Sequence, residues 1–382
     1  MNNKPPKNWK RVTLGELLDY ERPDKYIVSS EDYSDSYKTP VLTAGKTFIL
    51  GYTNDTEGIY KNLPVIIFDD FTTESKYVDF DFKVKSSAMK ILKAENNITL
   101  KYLYYLMQTL SFNHDTHKRY WISEYSKLKI DIPDKIEEQQ EIVQVLDTMS
   151  DIIRLREECI SHAQDLIPAL FQEMFKQYIK QKDKHISIGS VTSDTKQINP
   201  LKFFETEFYY IDIASINNNT GIIETPKIIN INETPPSRAR KLVQTNDVII
   251  SMTRPYLKGF SIIPKHLDGQ IVSTGFSVLR SIPEKISPLY LFAYARTDMF
   301  VGQLIPKMKG ANYPAVRDSD VRSVKIPLPP IELQEQFAEK VEKINSYIKE
   351  QQEELENAKQ MFQSLLHHAF TGELTRRAYG KN

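Results

Sequence analysis

The chain has 382 residues, 40% of them hydrophobic and 26% charged, and its 50 basic and 50 acidic side chains cancel. No run approaches the roughly 20 apolar residues a membrane span needs. The first residues, Met1-Asn2-Asn3-Lys4-Pro5-Pro6-Lys7, lack a signal-peptide apolar core, and the single cysteine, Cys159, has no mate for an internal disulfide. These features fit a cytoplasmic protein of two or three domains with no membrane association.

Residues 1–134 form a first globe. Short β-branched runs broken by Gly, Pro, Asn and Asp predict a twisted, mostly antiparallel sheet with a few helices, an α+β fold. Val65-Ile66-Ile67 reads as a buried strand and Leu100-Lys101-Tyr102-Leu103-Tyr104 as a helix start. Residues 135–183 are a helical arm. Residues 184–327 form a second globe with similar anchors, Val248-Ile249-Ile250 and Pro288-Leu289-Tyr290-Leu291-Phe292. A second arm fills residues 328–382. Charge is uneven across these segments: the first globe is neutral, the arms carry net −4 and −2, and the second globe carries +6. A phosphate-facing surface therefore belongs to the globes, while the arms face something else.

The arms are copies of one another. Ile136-Glu137-Glu138-Gln139 through Phe171-Gln172-Glu173-Met174-Phe175 recurs without a gap, 195 residues later, as Ile331-Glu332-Leu333-Gln334 through Leu366-His367-His368-Ala369-Phe370. Each copy follows a strand and proline, Ile130-Asp131-Ile132-Pro133 and Val324-Lys325-Ile326-Pro327. A period this long means two whole globe-plus-helix units related by an approximate two-fold, not a solenoid. In the first arm Ile142, Met149, Arg156, Ala163 and Leu170 recur every seven residues beside Leu146, Ile153, Ile160, Ile167 and Met174. In the second, Phe337, Ile344, Gln351, Ala358 and Leu365 run beside Val341, Ile348, Leu355, Phe362 and Ala369. Such 3,4 spacing is the signature of helices packed along their length, here as an antiparallel coiled coil. Arg156 and Gln351 interrupt the stripe at the same heptad and read as a register-fixing polar layer. Pro168, opposite Gln363 of the other copy, is expected to kink or loosen the first arm. At 1.5 Å per residue, an arm of about 40 residues reaches about 60 Å and acts as a ruler.

Catalytic signatures are missing from the sequence. Thr234-Pro235-Pro236-Ser237 lacks the acid or amide and the aromatic of a methyltransferase loop. Gly45-Lys46 lacks the upstream glycine of a phosphate-binding loop. The seven histidines show no metal spacing, and His367-His368, adjacent on a helix, do not share a face.

The segment Ile326-Pro327-Leu328-Pro329-Pro330-Ile331-Glu332-Leu333-Gln334-Glu335-Gln336 resembles the start of the conserved helices in specificity subunits of Type I restriction-modification systems. Ile132-Pro133-Asp134-Lys135-Ile136-Glu137-Glu138-Gln139 is a weaker copy, and Leu365-Leu366-His367-His368-Ala369-Phe370-Thr371-Gly372-Glu373-Leu374 is similar to the family's helix terminus. The resemblance implies two target recognition domains, each reading one half of an asymmetric bipartite site on double-stranded DNA, with the conserved helices setting the spacer between the halves. It further implies two methyltransferase subunits docked on the helices, and restriction and translocase subunits that join to move along and cut unmodified DNA. S-adenosylmethionine, ATP and Mg are then needed by those partners, and this chain holds no cofactor, metal or catalytic site. The alternative is a two-headed adaptor that binds proteins and never DNA, for which zero net charge speaks.

Base readout needs fork-shaped donors or amides, and backbone anchoring needs Lys, Arg, Ser and Thr on loops. Ser251-Met252-Thr253-Arg254-Pro255-Tyr256-Leu257-Lys258-Gly259 follows a buried strand and makes Ser251, Arg254, Tyr256 and Lys258 candidates, Arg254 for a guanine. A second basic loop offers Lys307 and Lys309 for phosphates and Asn312 and Tyr313 for base edges. Arg238, Arg240 and Lys241 read as a solvated face. In the first globe Thr43, Lys46, Lys76, Lys118 and Arg119 are the candidates, Asp69-Asp70 reads as a turn, and Trp121 is either a core anchor or a groove wedge.

Overall fold

The computed structural model describes residues 8–45, 47–110 and 119–374. The chain divides into two compact units, residues 1–157 with 353–382, and residues 158–352. In chain order the first part holds β1 (Trp9–Thr13), α1 (Leu14–Leu17), β2 (Asp19–Glu21), β3 (Thr39–Leu42), β4 (Ile49–Thr53), β5 (Val65–Asp69), β6 (Ser75–Val78), β7 (Lys83–Val84), β8 (Met89–Lys93), α2 (Asn97–Met107), α3 (Tyr120–Ser123), β9 (Lys129–Pro133) and the long α4 (Ile136–Lys180). There follow β10 (Ile186–Ser187), β11 (Thr192–Ser193), β12 (Glu207–Ile211), β13 (Lys227–Asn230), β14 (Ala239–Leu242), β15 (Val248–Ser251), β16 (Phe260–Ile262), β17 (Ile271–Ser273), β18 (Phe276–Ser281), α5 (Pro288–Ala295), α6 (Asp298–Leu304), α7 (Asp318–Arg322), β19 (Lys325–Ile326) and the long α8 (Ile331–Phe370). Among the described residues no helix is long and apolar enough to cross a membrane.

Both units have the same sheet plan. In the first, an antiparallel sheet runs β2-β8-β5-β6, and a second sheet, β4-β3-β7, pairs β3 with β7 in parallel. In the second, β11-β18-β15-β16 repeats the antiparallel sheet, and β13-β12-β17-β14 repeats the other with one added strand, β14, again with a parallel pair, β12 and β17. Two-stranded ribbons, β1-β9 and β10-β19, close the globes next to the long helices. The apolar runs Val65-Ile66-Ile67-Phe68 and Val248-Ile249-Ile250 are fully buried because each strand has neighbours on both edges. Asn96 caps α2 by accepting from the Thr99 N–H at 2.9 Å, and Thr297 caps α6 through the Phe300 N–H at 3.3 Å.

Each unit contains the start of one long helix and the end of the other. In the first unit Ile142 and Leu146 of α4 share a core with Leu366 and Ala369 of α8. Further along α4, Arg156 meets Glu354 and Glu157 meets Lys359 at 2.8 Å, so the helices run antiparallel there. Phe370 lies edge-on to Tyr102 of α2, ring centroids 5.3 Å apart. The second unit repeats this with the helices exchanged: Phe171 and Phe175 of α4 pack on Phe337 of α8, and Phe175 lies edge-on to Tyr290 of α5 at 4.7 Å. Phe175 and Phe370 are equivalent in the repeat, as are Tyr102 and Tyr290. Of the stripe positions, Ile142, Leu146, Met149, Ile160, Phe337, Val341 and Ile348 are buried, and Ile153, Ile167, Ile344, Leu355 and Phe362 half-buried. Arg156 of the interrupted heptad pairs with Glu354. Helix α4 continues through Pro168, which costs it one backbone hydrogen bond without ending it.

The root of each long helix is held by a buried glutamine. Gln139 donates to the Pro133 carbonyl at 3.1 Å and accepts from the Thr99 hydroxyl at 2.9 Å. Its repeat equivalent, Gln334, donates to the Pro329 carbonyl at 2.8 Å and accepts from the Ser287 N–H at 2.9 Å. Each ties its helix to the N-terminus of the globe's main helix, α2 or α5. Gln334→Leu leaves buried groups unpaired at about 1–3 kcal/mol apiece. Urea denaturation of the full chain should show that loss, whereas an unchanged midpoint would remove the glutamine from the docking.

Candidate nucleic-acid interface

In the second unit, the connection after β15 and the segment before α7 form one surface. The Arg254 N–H donates to the Pro314 carbonyl at 2.8 Å, and the Val316 N–H to the Met252 carbonyl at 2.9 Å. Lys309 and Ala315 exchange both backbone hydrogen bonds at 2.9 Å, which closes a tight loop with Gly310 at φ 102°. Arg254 has a left-handed backbone, φ 48°, which turns the chain sharply out of the strand. Its guanidinium stacks over the Tyr313 ring at 4.7 Å and donates to the Asn312 carbonyl at 2.9 Å. Its Nε is buried and has no hydrogen-bond partner among the described residues. The two basic loops of the sequence are thus a single patch, with Tyr313 71% and Tyr256 44% exposed beside the arginine.

Not every candidate faces outward. Ser251 is buried and its hydroxyl donates to the Thr253 carbonyl at 2.9 Å, shaping the strand end. Lys307 donates to the Ser323 hydroxyl at 2.6 Å, whereas Lys309 and Asn312 are exposed. Lys258, φ 53°, pairs with Asp298 at 2.7 Å. Arg238 is exposed, but Lys241 of the supposed solvated face is buried, donates to the Phe276 carbonyl at 2.6 Å, and has its pKa lowered by that burial.

One element escaped the sequence reading. Between β12 and β13, Asn217 forms a turn whose tip, Asn218 and Asn219, is exposed beside the Lys258 loop. Arg296, at the end of α5, donates to the carbonyls of Asn218 (3.0 Å), Asn219 and Lys258 (3.4 Å) and joins the two loops. Three asparagines followed by Thr-Gly were the available signal, a turn signature between two strand patterns. The arginine lies too far along the chain to have been linked to it.

The corresponding connections in the first unit are residues 43–48 between β3 and β4 and residues 70–74 between β5 and β6. Lys46 and Lys118 lie outside the described residues. Thr43 is half-buried and its hydroxyl accepts from the Gly45 N–H at 3.2 Å. Lys76 is half-exposed on β6, and Arg119 is exposed just before α3. Asp69 makes the turn, accepting from the N–H groups of Phe71 (2.8 Å) and Thr72 (2.9 Å). Asp70 is buried against Lys90 at 2.9 Å and accepts from the Trp121 N–H at 2.8 Å. Trp121 is a core residue, 1% exposed, packed on Phe68.

A family model of the Type I restriction modification DNA specificity domain matches residues 6–162 and again residues 186–357. The chain belongs to that family. It is 57% identical over 148 residues to the EcoR124I/EcoR124II specificity subunit of Escherichia coli, a match spanning 36% of this chain and 37% of that protein. With the MjaVIII specificity subunit of Methanocaldococcus jannaschii it is 23% identical over 395 residues, covering 94% of this chain and 92% of the other. The fold is that of the Type-I restriction-modification S subunit from M. genitalium, with a TM-score of 0.52, 16% identity and 97% of both chains covered. The connection after the central strand is anchored differently in the two units, by the buried Asp70–Lys90 pair in the first and by Arg254 stacked on Tyr313 in the second. Removing Asp70 leaves Lys90 buried without its partner, so Asp70→Ala should cost the first unit about 3–5 kcal/mol. Chemical denaturation checks this, and a loss below about 1 kcal/mol would show the pair to be dispensable.

Proposed function

We propose that the chain is the DNA-reading subunit of a Type I restriction-modification complex. Each unit reads one half of an asymmetric bipartite site on double-stranded DNA. The helices α4 and α8 set the length of the unread spacer and receive two methyltransferase subunits, and restriction and translocase subunits join that assembly in the cytoplasm. The chemistry belongs to the partners, which use S-adenosylmethionine, ATP and Mg.

One observation carries this reading: a specificity-domain frame occurs twice, with the same strand plan and different residues on the same connections. A repeated frame with divergent loops fits two readers of two sequences. In the second unit the guanidinium of Arg254, stacked on the exposed Tyr313, suits a guanine edge. Lys258 and Lys309 suit phosphates, with Tyr256, Asn312 and Tyr313 alongside for base edges. In the first unit Thr43, Lys46, Lys76, Lys118 and Arg119 take the corresponding roles. That globe has no net positive charge, so it leans on local patches and on its partners for affinity.

Replacing residues 1–134 with the corresponding part of another specificity subunit, in cells that supply a Type I methyltransferase subunit, tests the division of labour. Methylome sequencing should show one half of the methylated motif changed and the other half and spacer kept. A change in both halves, or in neither, would contradict it. Arg254→Ala should relax one position of the retained half by about 5- to 150-fold in discrimination.

A further inference from the structure

The turn between β12 and β13 holds three asparagines doing two different jobs. Asn217 is used up inside the protein: its Oδ1 accepts from the N–H groups of Asn219 (2.9 Å) and Thr220 (3.2 Å), and its Nδ2 donates to Glu224 at 2.8 Å. Gly221, φ +74°, closes the turn, and a Cβ there would lie 2.7 Å from the Phe292 ring and 2.9 Å from Arg296 Nη1. The shape is therefore set by packing against α5. Asn218 and Asn219 are exposed, and their side-chain amides make no hydrogen bond among the described residues. Their carbonyls are occupied by Arg296, so the polar groups this tip presents to a ligand are the two amides.

The same guanidinium also reaches the Lys258 carbonyl, 3.4 Å away, in the loop that carries Arg254. A Cβ at Gly259 would sit 3.1 Å from Asn218 Oδ1, so the tip and that loop are in contact. In the first unit the matching connection also abuts its neighbour, a Cβ at Gly45 lying 3.9 Å from Glu74 Oε2. The frame puts this turn on the loop surface in both units.

We propose, resting on the function above, that Asn218 and Asn219 are base-reading residues of the second unit, that the base they fit is adenine, and that Arg296 is the positioning residue holding them in register with the Arg254 loop. A carboxamide carries a donor and an acceptor side by side, the pattern that pairs with N7 and N6–H₂ of adenine in the major groove. Being neutral, the amides add discrimination without adding to phosphate attraction, which is the task of the lysines nearby.

The test uses the full chain co-expressed with a Type I methyltransferase subunit and read by methylome sequencing. Asn218→Ala with Asn219→Ala should lose adenine preference at one or two adjacent positions of one half-site, by about 10- to 100-fold, with the other half unchanged. Asn218→Asp, which can only accept, should move the preference toward cytosine. Arg296→Gln should relax the same positions with both asparagines intact, which a merely structural arginine would not do. A motif unchanged in these variants, while the wild-type complex methylates specifically, overturns the assignment alone. No specific methylation by the wild-type complex overturns the proposed function, and this assignment with it.

Discussion

The structure depends on how a long helix is rooted in a globe. Once α4 or α8 leaves its ribbon, its first turn must be fixed in direction, because a small angular error there grows along a helix of 45 or 40 residues. A buried glutamine does this in each unit, satisfying groups from the preceding proline segment and from the start of α2 or α5. A buried amide is costly unless its partners are in place, and so it selects one docking geometry where an apolar side chain would tolerate several. Aromatic packing then seats the opposite end: Phe370 on Tyr102, Phe175 on Tyr290. Each globe is complete only with one helix's beginning and the other's end.

On that scaffold the two units solve one problem with different chemistry. The connection after the central buried strand is secured in the first unit by an internal ion pair, Asp70 with Lys90. In the second unit it is secured by a left-handed Arg254 stacked on a tyrosine. The first arrangement spends its charge inside the fold. The second leaves a cation at the surface beside two exposed aromatics, in the part of the chain with a net charge of +6. The backbone hydrogen bonds around these connections are similar, so side chains can diverge there without disturbing the strands.

Much of this is legible in the sequence, and the reason differs by element. The repeat and heptad stripe follow from long periodic patterns, and residues such as Ile142 and Phe337 sit in the core because every turn of the helix repeats the instruction. The shared sheet plan is hidden, since β10, β11 and β19 are two residues long and the parallel pairs β3/β7 and β12/β17 join distant segments. Lys241 looked solvated beside Arg238 and Arg240, yet a carbonyl 35 residues away receives it. Asp70 looked like part of a turn, and only the fold brings Lys90 to it. The Asn217 turn has a signature in its three asparagines and the Thr-Gly that follows, but its place on the loop surface depends on Arg296, far along the chain.

The central claim is that the equivalent loop surfaces of the two units face the two halves of one duplex site. A cryo-EM structure of the chain with its methyltransferase partner on methylatable duplex tests it most directly. The account predicts Arg254, Asn218 and Asn219 within hydrogen-bond distance of base edges in one half, and the connection of residues 43–48 in the groove of the other. Duplex running along any other face of either unit would contradict it.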